Sequence, residues 1–194
     1  MNIEMAMEKG NRMEFLLKGS TVSFANLLRR FGMGRVPVFA IDSVTFYENS
    51  SSMFDEYLAH RIGQVQLLSD SGRAKDEVLL TLEAGGPSTV YSKELKSTDS
   101  KIKSALDNIP LLKLLEGQNV RLEAKARRGI GRQHAKWQPG LISYEVLDGK
   151  DFKFKAESFM QLEPRGLLSA AADEVIARCE ELDGKLSEIK KAKE

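Results

Sequence analysis

The sequence predicts an α+β protein. Strand-like segments occur in pairs near both ends, an amphipathic helix follows the first pair, and a long helix with a regular apolar seam comes last. Ile3 to Glu8 and Arg12 to Leu17 read as strands around Lys9-Gly10-Asn11, a hairpin. Ser20 or Thr21 is placed to cap the next helix, since a side-chain oxygen there accepts from an unpaired first-turn amide. Phe24, Leu27, Leu28 and Phe31 share its apolar face. Arg29 and Arg30 suit the negative end of its dipole and point about 100° apart. Gly32 and Gly34 are expected to end the helix, and Pro37 to prevent its resumption.

Val38 to Tyr47 alternates through Ile41, Val44 and Phe46 and reads as a strand. Ser52 with Asp55 resembles a capping box and predicts a helix running to Gly63. From Val65 to about Tyr144 the texture is short strands between turns. Val78–Leu82 and Val120–Ala126 are the clearest, with Gly85-Gly86-Pro87 and Asp107-Asn108 as punctuation. A basic, glycine-bearing loop, RRGIGRQHAKWQPG, follows. Leu141–Leu147 and Phe152–Ala156 read as a hairpin around Asp148-Gly149, and Pro164 opens the last helix. Within that helix Leu168, Ala172, Val175, Cys179, Leu182, Leu186 and Ile189 are spaced 4, 3, 4, 3, 4, 3. This is a heptad seam, extending roughly 40 Å at ~1.5 Å per residue. It serves either the chain's own core or a partner, and Gly184 costs its far end ~1 kcal/mol of helix propensity.

Composition bounds the function. The 194 residues are 29% charged and 42% apolar with a formal net charge of +1, so no global field recruits nucleic acid. No apolar run approaches the ~20 residues of a membrane span, and the start shows no signal-peptide hydrophobic region. Cys179 is the single cysteine, which excludes an intramolecular disulfide and argues against a cysteine-ligated metal or cluster. A reducing, cytoplasmic setting is expected.

Two clusters invite a chemical reading. His60 and His134 are the only histidines, each with basic neighbours, Arg61 for one and Arg132 and Lys136 for the other. Asp55, Glu56 and His60 would suit a hydrolase only with a nucleophile and an oxyanion site, and neither is identified. The segment 121–136 holds six basic residues against Glu123, with Trp137 beside it. It could bind single-stranded nucleic acid by charge and stacking, or dock a partner's carboxylates. Its glycines match neither phosphate-binding pattern.

Four blocks resemble the alpha-like subunits of cellular RNA polymerases, and the archaeal D subunit most. They are Ala25-Asn26-Leu27-Leu28-Arg29-Arg30 with Val36-Pro37 and Ala40-Ile41-Asp42; Asp55-Glu56 with Leu58-Ala59-His60-Arg61-Ile62-Gly63; His134-Ala135-Lys136-Trp137-Gln138-Pro139; and Phe152, Phe154, Glu157, Ser158 and Leu162. The resemblance implies a discontinuous dimerisation domain, 1–46 and 146–194, around a mainly β insert domain, 47–145. It implies a non-catalytic assembly subunit that pairs with subunit L through the first and last helices. The insert domain and the arginine-bearing helix would face the second-largest catalytic subunit (B) and the small subunits N and P, with no membrane and no direct sequence-specific DNA contact. The expected partner residues are Leu27, Leu28, Arg29, Arg30, Phe31, His60, Arg61, His134, Lys136, Trp137, Val175, Cys179, Leu182, Leu186 and Ile189. Many archaeal D subunits carry a cysteine-rich, sometimes cluster-binding domain after the HAKWQP block. Here Pro139-Gly140 runs straight into Leu141-Ile142, so that domain is expected to be absent and no cofactor is expected. Val65-Gln66-Leu67 departs from the family's usual central proline, leaving an amide donor and a less rigid turn.

Overall fold

A computed structural model describes residues 1–69 and 77–191. Helices and sheets are mixed as the α+β expectation requires, and the chain divides into two compact units. The first comprises 1–36, 139–158 and the chain from Glu163; the second comprises 37–138 and 159–162.

In the first unit, β1 (Asn2–Lys9) and β2 (Arg12–Lys18) form the expected hairpin. Next comes α1 (Val22–Gly34), with the Thr21 hydroxyl accepting from the Phe24 amide at 3.2 Å. Of the expected terminators, Gly32 lies inside α1 and is buried. A Cβ there would fall 2.3 Å from Ile142 Cδ1, so Gly32 permits close packing rather than ending the helix.

The second unit begins with β3 (Pro37–Asn49) and α2 (Asp55–Gly63). Strands β4 (Glu77–Gly85), β5 (Ser88–Tyr91), β6 (Lys96–Ser97), β7 (Pro110–Leu114) and β8 (Asn119–Ile130) follow. β3, β8, β4 and β6 form one antiparallel sheet in that order, and β5 pairs with β7. The core gathers Phe39 and Ile41 of β3, Leu58 and Ile62 of α2, Leu80 and Leu82 of β4, and Leu122, Ala124 and Ala126 of β8. Val65 and Leu67 are buried too, and the Gln66 carbonyl accepts from the Ala105 amide at 2.8 Å.

Two local expectations are corrected here. The Ser52–Asp55 capping box does not form: α2 starts after Phe54 with no side-chain cap. Asn49 takes over the turn instead, donating to the Met53 carbonyl at 2.9 Å and to Asp55 at 2.7 Å. The start of the basic loop, 127–130, is strand, because β8 continues to Ile130 and pairs Arg128 with Phe39. The changeover between the two compact units falls at Val36/Pro37. Val38–Ile41 of β3 are buried in succession, and the strand pairs with β8 along its length apart from bulges at Asp42 and Tyr47.

The chain returns to the first unit through β9 (Gly140–Val146), directly after Pro139, then β10 (Phe152–Ser158) and α3 (Pro164–Lys191). The sheet order is β1-β2-β10-β9, antiparallel throughout. Residues at period two, Met13, Phe15 and Leu17 of β2 with Phe152, Phe154 and Ala156 of β10, put one sheet face in the core. Phe15 and Phe154 are register partners and stack at 4.9 Å, an arrangement that stabilises by roughly 0.5–1.5 kcal/mol beyond burial.

Candidate assembly surfaces

The heptad seam of α3 is largely bare. Leu167 and Ala171 face the core of the first unit and are fully buried. The predicted seam lies one residue further round the helix. Leu168 and Val175 are half-buried and Cys179 is exposed. Beyond them Leu182, Leu186 and Ile189 are 59%, 49% and 56% exposed. A single exposed leucine needs no explanation, but a row of them along several turns does.

Beside the start of this seam lies an apolar groove of about 360 Å³, walled by Ile3, Met5, Phe15, Leu28, Leu168 and Ala172 among others. α1 and the β1–β2 hairpin supply its walls. Leu28 is buried, Phe31 half-buried and Leu27 36% exposed, so this end of α1 divides between core and surface. The β1 residues were missed at the sequence level. Ile3 and Met5 alternate at strand period on an exposed edge strand, and that pattern marks them; a register shift separates Met7 from this wall. Of the two arginines, Arg29 folds back, its guanidinium donating to Asn26 Oδ1 at 2.9 and 3.2 Å. Arg30 points to solvent.

In the second unit the HAKW block is occupied internally. A bulge in β3 leaves Asp42 without a register partner. Its carboxylate accepts from Arg127 Nε at 2.6 Å and from Lys136 Nζ at 2.8 Å. The hydrogen bond from Arg127, then that from Lys136, holds the Asp42 carboxyl below its ordinary pKa. Both cations also sit over the ring of buried Trp137, at 4.5 and 4.4 Å from its centre. Trp137 Nε1–H donates to the Arg127 carbonyl at 3.1 Å. A Cβ on Gly129 would lie 2.4 Å from the indole, so only glycine fits beneath it. His134 is exposed; its Nδ1 accepts from the Lys136 amide at 3.1 Å, capping the short turn Ala135–Trp137. Asp42 belongs to the Ala40-Ile41-Asp42 block, and nothing in its local sequence marks it as the centre of this cluster.

The same geometry bears on the nucleic-acid reading of 121–136. Arg121 lies over the ring of Tyr47, Lys125 pairs with Glu77, and Arg127 and Lys136 share Asp42. Cations engaged within the fold are poor phosphate ligands. On α2, His60 and Arg61 are exposed, and Arg61 Nε donates to the Pro110 carbonyl at 2.8 Å. No hydrogen bond or ion pair joins His60 to Asp55 or Glu56, so the sketched hydrolase triad is not assembled. Among the described residues no group of three or more histidine, cysteine or acidic side chains is placed to hold a metal ion, and no helix is long and apolar enough to cross a membrane.

Comparison with known proteins meets this geometry. The family described as the RNA polymerase Rpb3/RpoA insert domain matches residues 22–145. The chain belongs to this family. Similar proteins include the DNA-directed RNA polymerase subunit Rpo3 of Pyrococcus furiosus, 45% identical over 151 residues, covering 74% of this chain and 58% of that protein. Those of Thermococcus kodakarensis and Methanocaldococcus jannaschii are 41% and 42% identical, covering 87% and 84% of this chain. The chain spans 70% and 83% of those two Rpo3 proteins, and under three fifths of the first.

Proposed function

We propose that this chain is a non-catalytic assembly subunit of an archaeal DNA-directed RNA polymerase. In this reading residues 1–46 and 146–194 act as the dimerisation domain and pair with subunit L, while 47–145 act as the insert domain. The pair offers a surface to the second-largest catalytic subunit and to the small subunits N and P in a cytoplasmic complex. Phosphodiester chemistry belongs to the large subunits, and this chain supplies shape.

The exposed seam Leu182–Leu186–Ile189, continuing from the apolar groove, carries the reading. Apolar helix surface of that length gains free energy only when another surface excludes water from it. An obligate interface of this kind buries ~2,000 Å² or more with an apolar centre. In this reading Leu27, Phe31, Val175 and Cys179 extend the same surface, with Arg30 at its rim. His60 and Arg61 serve the contacts of the insert domain, and Lys136, Trp137 and His134 set the shape of the surface that the insert domain presents.

The test is co-expression with subunit L. Leu182→Asp places a carboxylate in the seam, where burial without a partner costs several kcal/mol. Co-purification is expected to be lost, and co-purification at wild-type yield would overturn the proposal.

A further inference from the structure

The edge strand β1 carries two methionines on opposite faces. Met5 pairs across the hairpin with Phe15, and Ile3 pairs with Leu17, so both lie on the face that β2 turns to the core. The register then shifts, and Met7 pairs with Glu14 instead. Met7 lines a separate, charged hollow with Arg12, Glu14, Lys155 and Glu157. The two side chains are similarly open to water, Met5 47% and Met7 41% exposed.

Met5 stands in the wall of the apolar groove, where only Arg165 and Ser169 of the lining have polar side chains. Arg165 is already engaged: its Nε and Nη2 donate to the Glu8 carboxylate at 2.6 to 3.0 Å. A thioether suits such a wall, being apolar and adaptable in shape. A sulfoxide does not, because its oxygen is a strong acceptor and the one cation of the lining is taken. In the open groove water solvates that oxygen. Under a partner's apolar surface it would lose the water and gain no donor. Met1 also lines the groove but is 77% exposed, so a sulfoxide there keeps its water.

We infer that Met5 makes pairing through the groove sensitive to oxidation: its thioether admits a partner's apolar surface and its sulfoxide excludes one. The inference rests on the pairing reading above. In the step itself a sulfur lone pair attacks one oxygen of hydrogen peroxide. The S–O bond forms as the O–O bond breaks, and the proton on the transferred oxygen leaves with the departing hydroxide as water. The sulfur loses two electrons and the peroxide gains them. Sulfoxide reductases return the thioether. A covered groove denies peroxide access to Met5, so the paired chain is protected and the free chain is not.

The test is partial oxidation of the full chain with hydrogen peroxide, mixing with a limiting amount of subunit L, and separation of paired from unpaired chain. Peptide mass spectrometry then measures the sulfoxide at Met5 and at Met7 in each fraction. An unpaired dipole buried at the interface weakens pairing roughly tenfold. Met5 sulfoxide is therefore expected to be depleted about that much from the paired fraction, with Met7 sulfoxide equal in both. Peroxide added to the preformed pair is expected to modify Met7 and spare Met5. Equal Met5 sulfoxide in the two fractions, depletion of Met7 to the same degree, or ready oxidation of Met5 within the pair would overturn the inference. If the unoxidised chain does not pair at all, the pairing reading falls and this inference with it. If it pairs whatever the state of Met5, only this inference falls.

Discussion

The distal seam of α3 and the cluster around Trp137 began as equals, since both were expected to touch partners. The seam keeps its apolar side chains in water, whereas the Trp137 cluster uses its cations and its ring inside the second unit. Residues expected at a partner surface therefore do two different things. Some are surface waiting for a neighbour, and the others are internal bracing on which a surface depends.

Substitutions can break that contrast. Trp137→Ala has the largest expected effect, about 3–5 kcal/mol of the second unit's stability from lost burial and the cavity left behind. It also removes the indole donor to the Arg127 carbonyl and the ring beneath two cations that stay paired with Asp42. Thermal melting checks this, and a loss of less than a degree would show that the ring is peripheral. Asp42→Asn comes next, at roughly 1–2 kcal/mol once solvent screening of a third-exposed carboxylate is allowed for.

The pH dependence of the Asp42 cluster has a definite sign. The folded carboxyl pKa is depressed, so its contribution is complete above the unfolded value of about 3.9 and is lost as pH falls through the lower folded value. Wild type should lose stability in that acid window more steeply than Asp42→Asn. Parallel acid-melting curves would count against the cluster. Leu186→Asp has the smallest expected effect on the isolated chain, within about 0.5 kcal/mol, because the site is already in water. Its effect on pairing with subunit L should still be complete. A large fall in the chain's own melting temperature would place Leu186 in the core instead.

Much of the architecture was legible. Hairpin alternation, the Thr21 cap, Pro164 and the heptad spacing are local signals, and local backbone preferences and apolar periodicity act on them in the same way in any fold. The misreadings share a cause as well. Gly32 was taken as a helix stop because glycine near a helix end usually is one. The clash it avoids, with Ile142, lies 110 residues away in sequence. Ser52 was taken as a cap on spacing alone, but Asn49 reaches the same turn with more hydrogen bonds. The β1 wall of the groove was missed because an exposed edge strand looks like any surface strand until α1 and α3 are set beside it.

By itself the sequence determined the elements, their order and the family, since these rest on local propensity, on period and on residue strings read directly. It also determined that α3 carries an apolar stripe. Only the tertiary structure decided that Leu167 and Ala171, one position away, take the core-facing side and leave the stripe to water. It likewise decided that Asp42, Arg127 and Lys136 satisfy one another. Which apolar face is buried, and which charge is neutralised, depends on neighbours brought from distant parts of the chain, and burial and Coulomb attraction act only once those neighbours have met.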